Sequence, residues 1–342
     1  MLHNRIALKH ARFAFAVTLL ALLVIVFGAY VRLSDAGLGC PDWPGCYGNL
    51  TVPISEQQIA SANSAYPATP VVVEKAWKEM LHRYLAGLLG LAILLLALLA
   101  IRNRHYTDQP LGLTWFLVLL VALQAALGMW TVTLLVKPAV VTSHLLGGVA
   151  IVALLWVVTL RLYSPLRTPY VISRASRLLW LSRIGLAIVL LQITLGGWTS
   201  TNYAAIGCTD FPTCHSGSWW PEMDFQQAFT LWHGIGINYE YGILSAEART
   251  AIHMVHRVGA LLTTVYLLSL SILLCRLGRS VITRQLAWTV AVLLLLQLGL
   301  GITNVVSHLP LAVATAHNGV AVLLLLTLLT LNWQLKRAYT ME

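Results

Sequence analysis

Long apolar runs separated by polar breaks dominate the chain. Eight runs reach the roughly 20 residues that a helix needs to cross a bilayer. They fall near 13–33, 80–101, 112–134, 139–161, 178–200, 251–275, 284–306 and 311–334. Gly and Pro occur inside them, which membrane helices tolerate. Two polar stretches, 34–79 and 201–250, are far longer than the other breaks. Within them, 54–62 and 224–233 read as short amphipathic helices lying in the membrane interface, with Trp219, Trp220 and Trp232 suited to an interfacial aromatic belt. The pattern predicts an all-α polytopic membrane protein of eight transmembrane helices.

The pattern also occurs twice. His82 and His144 are 62 residues apart, and His256 and His317 are 61 apart. The step from His82 to His256 is 174 residues, and from His144 to His317 it is 173. Cys40 and Cys46 return as Cys208 and Cys214 at an offset of 168. Gln124 to Gly128 matches Gln297 to Gly301, and Gly28-Ala29-Tyr30 matches Gly196-Gly197-Trp198. The expected architecture is therefore two tandem four-helix bundles related by an internal repeat. Residues 1–166 form the N-terminal half with outer loop 34–79, and 167–342 the C-terminal half with outer loop 201–250. Four is an even number, so both halves run in the same orientation about an axis along the membrane normal.

Charge sets the orientation. The chain is 58% hydrophobic and only 10% charged, against roughly 25% charged in soluble domains. With the N-terminus in the cytoplasm, fifteen of the 22 Lys and Arg residues lie at cytoplasmic ends, while ten of the 12 acidic residues lie outside. That distribution gives cytoplasmic N- and C-termini and places the cysteine loops outside. The net charge of +10 thus reflects topology and attraction to anionic lipid, not nucleic-acid binding. The first run lacks an Ala-x-Ala-like cleavage site and reads as a retained helix.

On this topology all four repeated histidines sit within roughly 10 Å of the outer ends of their helices. Intramembrane ionisable residues are functional candidates by default. Two imidazoles per bundle, without a nearby Cys or carboxylate set, do not make a tetrahedral zinc site. They do suit axial ligation of a haem iron from two facing helices. His82 with His144, and His256 with His317, are the expected metal ligands, and the glycines around them leave room for a flat porphyrin. Arg83 and Arg257 each follow a ligand candidate directly and are cofactor-binding candidates, either pairing with haem propionates or snorkelling to headgroups.

The halves differ at one informative place. Glu79-Met80-Leu81-His82-Arg83 corresponds to His253-Met254-Val255-His256-Arg257. Residues i and i+3 share a helix face, so Glu79 stands beside His82. It is read as the candidate catalytic residue for proton-coupled chemistry, or as an acid suiting the helix N-terminal dipole. His253 is either a further partner or a plain interfacial residue, and His215, His233 and His308 receive no role from spacing. An oxidising outer compartment favours the disulfides Cys40–Cys46 and Cys208–Cys214, as structural bridges or as a working dithiol. Cys275 is unpaired, and without Cys-x-x-Cys-His no covalent c-type haem is expected.

This constellation resembles the haem A synthase family, membrane enzymes that convert haem O to haem A. The likeness covers the whole chain and rests on the eight helices, Glu79-x-x-His82-Arg83, the partners His144, His256 and His317, and the Cys40/Cys46 loop. It implies that the N-terminal half takes the haem O substrate and the C-terminal half holds haem B as cofactor. It further implies that the C8 methyl is oxidised by successive hydroxylations to a gem-diol, which dehydrates to a formyl group. Glu79 matches the family's functional glutamate, and Cys40 and Cys46 its loop cysteines. Expected partners are the bilayer, an electron donor and a haem O synthase, with room for a homo-oligomer, in the plasma membrane of a prokaryote. Two other readings compete: a di-haem b-type cytochrome passing electrons from quinol to a partner, and a duplicated transporter using Gln124, Gln192 and Gln297 nearer mid-membrane.

Overall fold

A computed structural model describes residues 2–105, 109–163, 175–234, 236–277 and 280–339. Eight long helices are apolar enough to cross a membrane: α1 (Leu2–Leu33), α3 (Val73–Arg102), α4 (Leu111–Thr133), α5 (Pro138–Tyr163), α6 (Ala175–Thr201), α8 (Ala246–Leu277), α9 (Val281–Val306) and α10 (Leu311–Tyr339). Two short helices, α2 (Glu56–Ala65) and α7 (Phe225–Ala228), lie in the two long connections. Lipid offers no hydrogen bonds, so a helix that satisfies its own backbone is the economical spanning form for such apolar sequence. No named strand occurs among the described residues; two isolated bridges, Cys46 with Asn49 and His215 with Ser218, close the tips of the cysteine loops.

All eight expected spans are present, but three begin well before their apolar runs, α1 already at Leu2. α3 starts at Val73 and α8 at Ala246, so the long connections are shorter than 34–79 and 201–250. Polar and charged residues extend both helices beyond the apolar run. Lys78 pairs with Glu74 at 2.7 Å in the first turns of α3, and Ser245 Oγ accepts from Ala248 N at 3.2 Å where α8 begins. Hydropathy marks where lipid ends, not where the helix ends. Of the two amphipathic stretches, 54–62 becomes α2, closed by a capping box between Ser55 and Gln58. The other, 224–233, is helical for only one turn after its Asp224 cap. Gly234 and Gly236 then take positive φ, and the chain leaves the helical path.

Helices α1, α3, α4 and α5 pack in a closed cycle, each against the next, and α6, α8, α9 and α10 form another. The cycles meet through α1 with α10 and α5 with both α6 and α10. Leu155 of α5 and Leu325, Leu328 and Leu331 of α10 are fully buried in one continuous apolar core away from the long connections. Polar contacts stitch the seam. Trp156 Nε1 donates to Thr330 Oγ1 at 2.8 Å, Arg32 Nη2 to the Ser200 carbonyl at 2.9 Å, and the hydroxyls of Thr142 and Thr201 meet at 3.1 Å.

The same backbone turns close corresponding helices. After α1, Ala36 N donates to Val31 O at 3.0 Å with Asp35 at φ 49°; after α6, Ala204 N donates to Thr199 O at 2.9 Å with Tyr203 at φ 54°. After α4, Val136 N reaches Thr131 O at 2.8 Å; after α9, Leu309 N reaches Asn304 O at 2.8 Å. His308 sits in this last turn at φ 54°.

Candidate functional site

The four repeated histidines occupy the half of the bundle nearer the long connections. His82 is the tenth residue of α3 and His256 the eleventh of α8, whereas His144 and His317 are each the seventh of α5 and α10. They therefore sit about 9 to 15 Å below their helix starts, deeper for α3 and α8 than the apolar runs suggested. His82 lies within electrostatic reach of His144, and His256 of His317.

Each imidazole faces a glycine on a neighbouring helix of its own cycle. A Cβ on Gly28 of α1 would stand 2.8 Å from His82 Cε1; on Gly128 of α4, 3.5 Å from His144; on Gly196 of α6, 3.2 Å from His256; on Gly301 of α9, 3.2 Å from His317. The glycines, not the histidines alone, make the space in which the rings lie. Only hydrogen fits at the tightest of these approaches.

Polar partners are scarce. The Nδ1 atoms of His82, His144 and His317 are closed to solvent with no hydrogen-bond partner. In the second cycle, Gln192 Nε2 lies 3.1 Å from His256 Nδ1, and Gln297 Nε2 lies 3.1 Å from His317 Nε2. Among the described residues no three His, Cys, Asp or Glu come together as a metal cage. Paired, half-buried imidazoles with unsatisfied nitrogens and glycine-made space fit a planar group ligated from two sides, and the residues present are those a haem would use.

Above the histidines, the cysteine loops are fastened to α3 and α8, the helices of His82 and His256. Both disulfides, Cys40–Cys46 and Cys208–Cys214, are formed, and Cys275 is free. Gly39 and Gly207 let the loops pass directly over the backbones of Lys75 and Arg249, where a Cβ would come within 2.6 and 2.5 Å. Glu79, buried, accepts from Cys40 N through Oε2 at 2.9 Å and pairs through Oε1 with Arg83 Nη2. Arg83 Nη1 donates to the carbonyls of Asp42, at 2.9 Å, and Gly45. In the second half His253 Nδ1 accepts from Cys208 N at 3.0 Å, while Arg257 donates to the carbonyls of Asp210 and Thr213 at 2.7 and 3.0 Å. Burial, with Glu79 and Asp42 close by, pushes the Tyr47 phenol in the first loop above its ordinary pKa.

The sequence-predicted residues thus divide. His82, His144, His256 and His317 come together in pairs within the two cycles. Glu79 shares the face of His82, but its oxygens point to the loop. Arg83 and Arg257 do not snorkel: their donors serve loop carbonyls. His253, left open by sequence reading, is the counterpart of Glu79 as a loop latch. His215 rests between the hydroxyls of Thr209 and Thr250 at 3.4 and 3.3 Å, and His233 packs beside Tyr239. Sequence reading missed the contacts of Gln192 and Gln297 with the histidines. A signal was there: Gln124 and Gln297 each precede a ligand candidate by twenty residues. It also missed Lys137, which is buried with Nζ 2.9 Å from the Gly234 carbonyl and over the Trp232 ring, tying the second long connection to the first half.

Comparison with known proteins points to one family. The family model described as cytochrome oxidase assembly protein, COX15-CtaA, matches residues 11–329. The chain is 47% identical over 312 residues to Heme A synthase of Shewanella oneidensis, covering 91% of this chain and 92% of that protein. It is 28% identical over 334 residues to Heme A synthase of a Bradyrhizobium strain, covering 90% and 85%. With Heme A synthase of a Caulobacter strain it shares 26% identity over 346 residues, covering 96% of each. A family model matching nearly the whole length and a 47% identical relative aligned along most of both chains lead to one assignment: the chain belongs to the COX15-CtaA family.

Proposed function

We propose that this chain is a haem A synthase, a multi-pass membrane oxidoreductase that converts haem O to haem A. Two structurally matched pairs of half-buried imidazoles in a chain of this family carry the reading. Haem O, the substrate, is received between His82 and His144, and its C8 methyl is oxidised to a formyl group by successive hydroxylations. A haem B held between His256 and His317 would supply one-electron chemistry.

The chain's own residues do the rest. His82 and His144 present imidazole nitrogens from α3 and α5, and Gly28 and Gly128 keep the rings free of steric contact. Glu79, one turn from His82, is the group that would hold or release a proton, at Oε atoms held in the structure by Cys40 N and Arg83. Arg83 and Arg257 contribute through the loops they fasten, which exclude water from the pockets beneath. On this reading residues 1–166 are the substrate half and 167–342 the cofactor half. Both termini are cytoplasmic, the disulfide loops are outside, and the enzyme works with a haem O synthase and an electron donor. The electron-transfer cytochrome reading gains nothing from the relatives, which are named as synthases. The direct test is production of this chain in cells that make haem O but lack their own synthase. Haem A must appear with the intact chain and be absent with His82→Ala.

A further inference from the structure

Two loops are latched in the same way by residues of different charge. In each half, the residue three before the ligand histidine accepts the N–H of the first loop cysteine, at 2.9 Å for Glu79 and 3.0 Å for His253. In each half the arginine after the histidine donates to loop carbonyls, three for Arg83 and two for Arg257. Both latch residues are buried, with 5% and 4% of their surface exposed, so water screens them little. The first latch closes as an ion pair between Glu79 and Arg83. The second closes as Arg257 beside His253, with Arg257 Nε 3.3 Å from His253 Nε2.

His253 cannot offset that arginine. Its Nδ1 accepts from Cys208, so it is not an imidazolium, and a neutral ring carries no charge. The other charged groups facing the latches are matched: Asp42 stands in the first loop where Asp210 stands in the second. Asp42 caps Tyr47 N and Gly48 N at 2.6 and 2.7 Å, and Asp210 accepts from Thr209 Oγ1 at 3.2 Å. His215, which also faces His253, brings no negative charge to offset Arg257. The second half therefore carries one more positive charge, on the residue next to its ligand histidine.

We propose that the Glu79/His253 exchange sets the two haem sites at different reduction potentials, with the uncompensated charge of Arg257 holding the second-half site higher than its ligands alone would. The inference rests on haem ligation at both histidine pairs. The physical reason is elementary: a half-buried cation disfavours the more positive oxidised iron, and its buried neighbour His253 keeps local screening low. Groups one shell out from the ligands are known levers on metal potentials. Glu79 and His253 act here as positioning and tuning residues, through the loops and through charge.

The test is a spectroelectrochemical titration of the purified, haem-loaded protein, with signals assigned to a half through His144→Ala and His317→Ala. His253→Glu, which rebuilds the first half's ion pair, must lower the second-half potential and leave the first unchanged. His253→Gln keeps a neutral acceptor and must shift it less. Glu79→Gln must raise the first-half potential. If His253→Glu loses its haem, Arg257→Gln decides, because it removes the same charge and must also lower the second-half potential. A haem-loaded His253→Glu with an unmoved potential, or His253→Gln shifting as far as His253→Glu, overturns the inference. Wild-type protein without bis-histidine haem overturns the underlying haem reading itself.

Discussion

The carboxamide of Gln297 lies 3.1 Å from the imidazole of His317, across the contact between α9 and α10. Gln192 stands at the same distance from His256, so both ligand candidates of the second half meet a glutamine side chain. In the first half the position matching Gln192 is Val24, and His82 Nδ1 is left without a partner. A hydrogen-bonded imidazole is the better oriented ligand. Gln192→Val, which copies the first half, should weaken haem retention in the second half about fivefold, the equivalent of one net hydrogen bond of ~1 kcal/mol. Haem loss under dilution, followed by absorbance, checks it; unchanged retention would show that Gln192 merely fills space.

The glycines beside the histidines predict a graded series. Gly28→Ala places a carbon 2.8 Å from His82 Cε1, closer than real contacts allow, so the ring must shift. Gly128→Ala meets His144 at 3.5 Å, an ordinary contact. The first should abolish haem binding in the N-terminal half and the second should be tolerated, as read from haem content per chain. Equal losses, or equal tolerance, would count against the assigned ring positions.

Glu79 has two jobs in this account, and two variants separate them. Glu79→Gln keeps an acceptor for Cys40 N and removes the proton-transfer group, so haem should stay bound while haem A formation falls about a hundredfold, within the usual range for a lost general acid or base. Glu79→Ala also leaves the part-buried Arg83 without its counter-ion, a change that costs less than the loss of a fully buried partner, and should lower thermal stability as well. Full product formation by Glu79→Gln would remove its chemical role and leave only the latch.

The disulfide loops predict a difference in stability. Cys208→Ser with Cys214→Ser frees a short loop, which should cost about 2 kcal/mol, at the low end for bridges. The melting temperature should fall while His253 and Arg257 still hold the loop in part. A double variant at Cys40 and Cys46 should behave alike if both bridges are structural. Loss of turnover at unchanged stability would instead mark a working dithiol.

Much of the fold was legible because lipid makes the problem one-dimensional. Eight apolar runs became eight helices, since no other open form satisfies its backbone in hydrocarbon. The starts of α3 and α8 were not legible, because their first turns are amphipathic and held by Glu74–Lys78 and Ser245 rather than by apolar character. Spacing singled out His82, His144, His256 and His317, because equal offsets put them at near-matching positions along α3, α5, α8 and α10. The orientation of Glu79, Arg83 and Arg257 could not. Those side chains turn towards loops whose path depends on Gly39 and Gly207 passing over helix backbones, a tertiary contact without a periodic signature. Lys137 was hidden for the same reason: its carbonyl and aromatic partners come from the other half of the chain, 97 residues away for Gly234.

The central claim is that one half binds a substrate haem and the other a resident haem. Mass-spectrometric identification of the porphyrins extracted from protein purified from cells that make haem O tests it most directly. Haem B is expected together with haem O, its hydroxylated forms or haem A, with His317→Ala removing haem B and His144→Ala removing the others. Two haem B per chain and no haem O or haem A would contradict it.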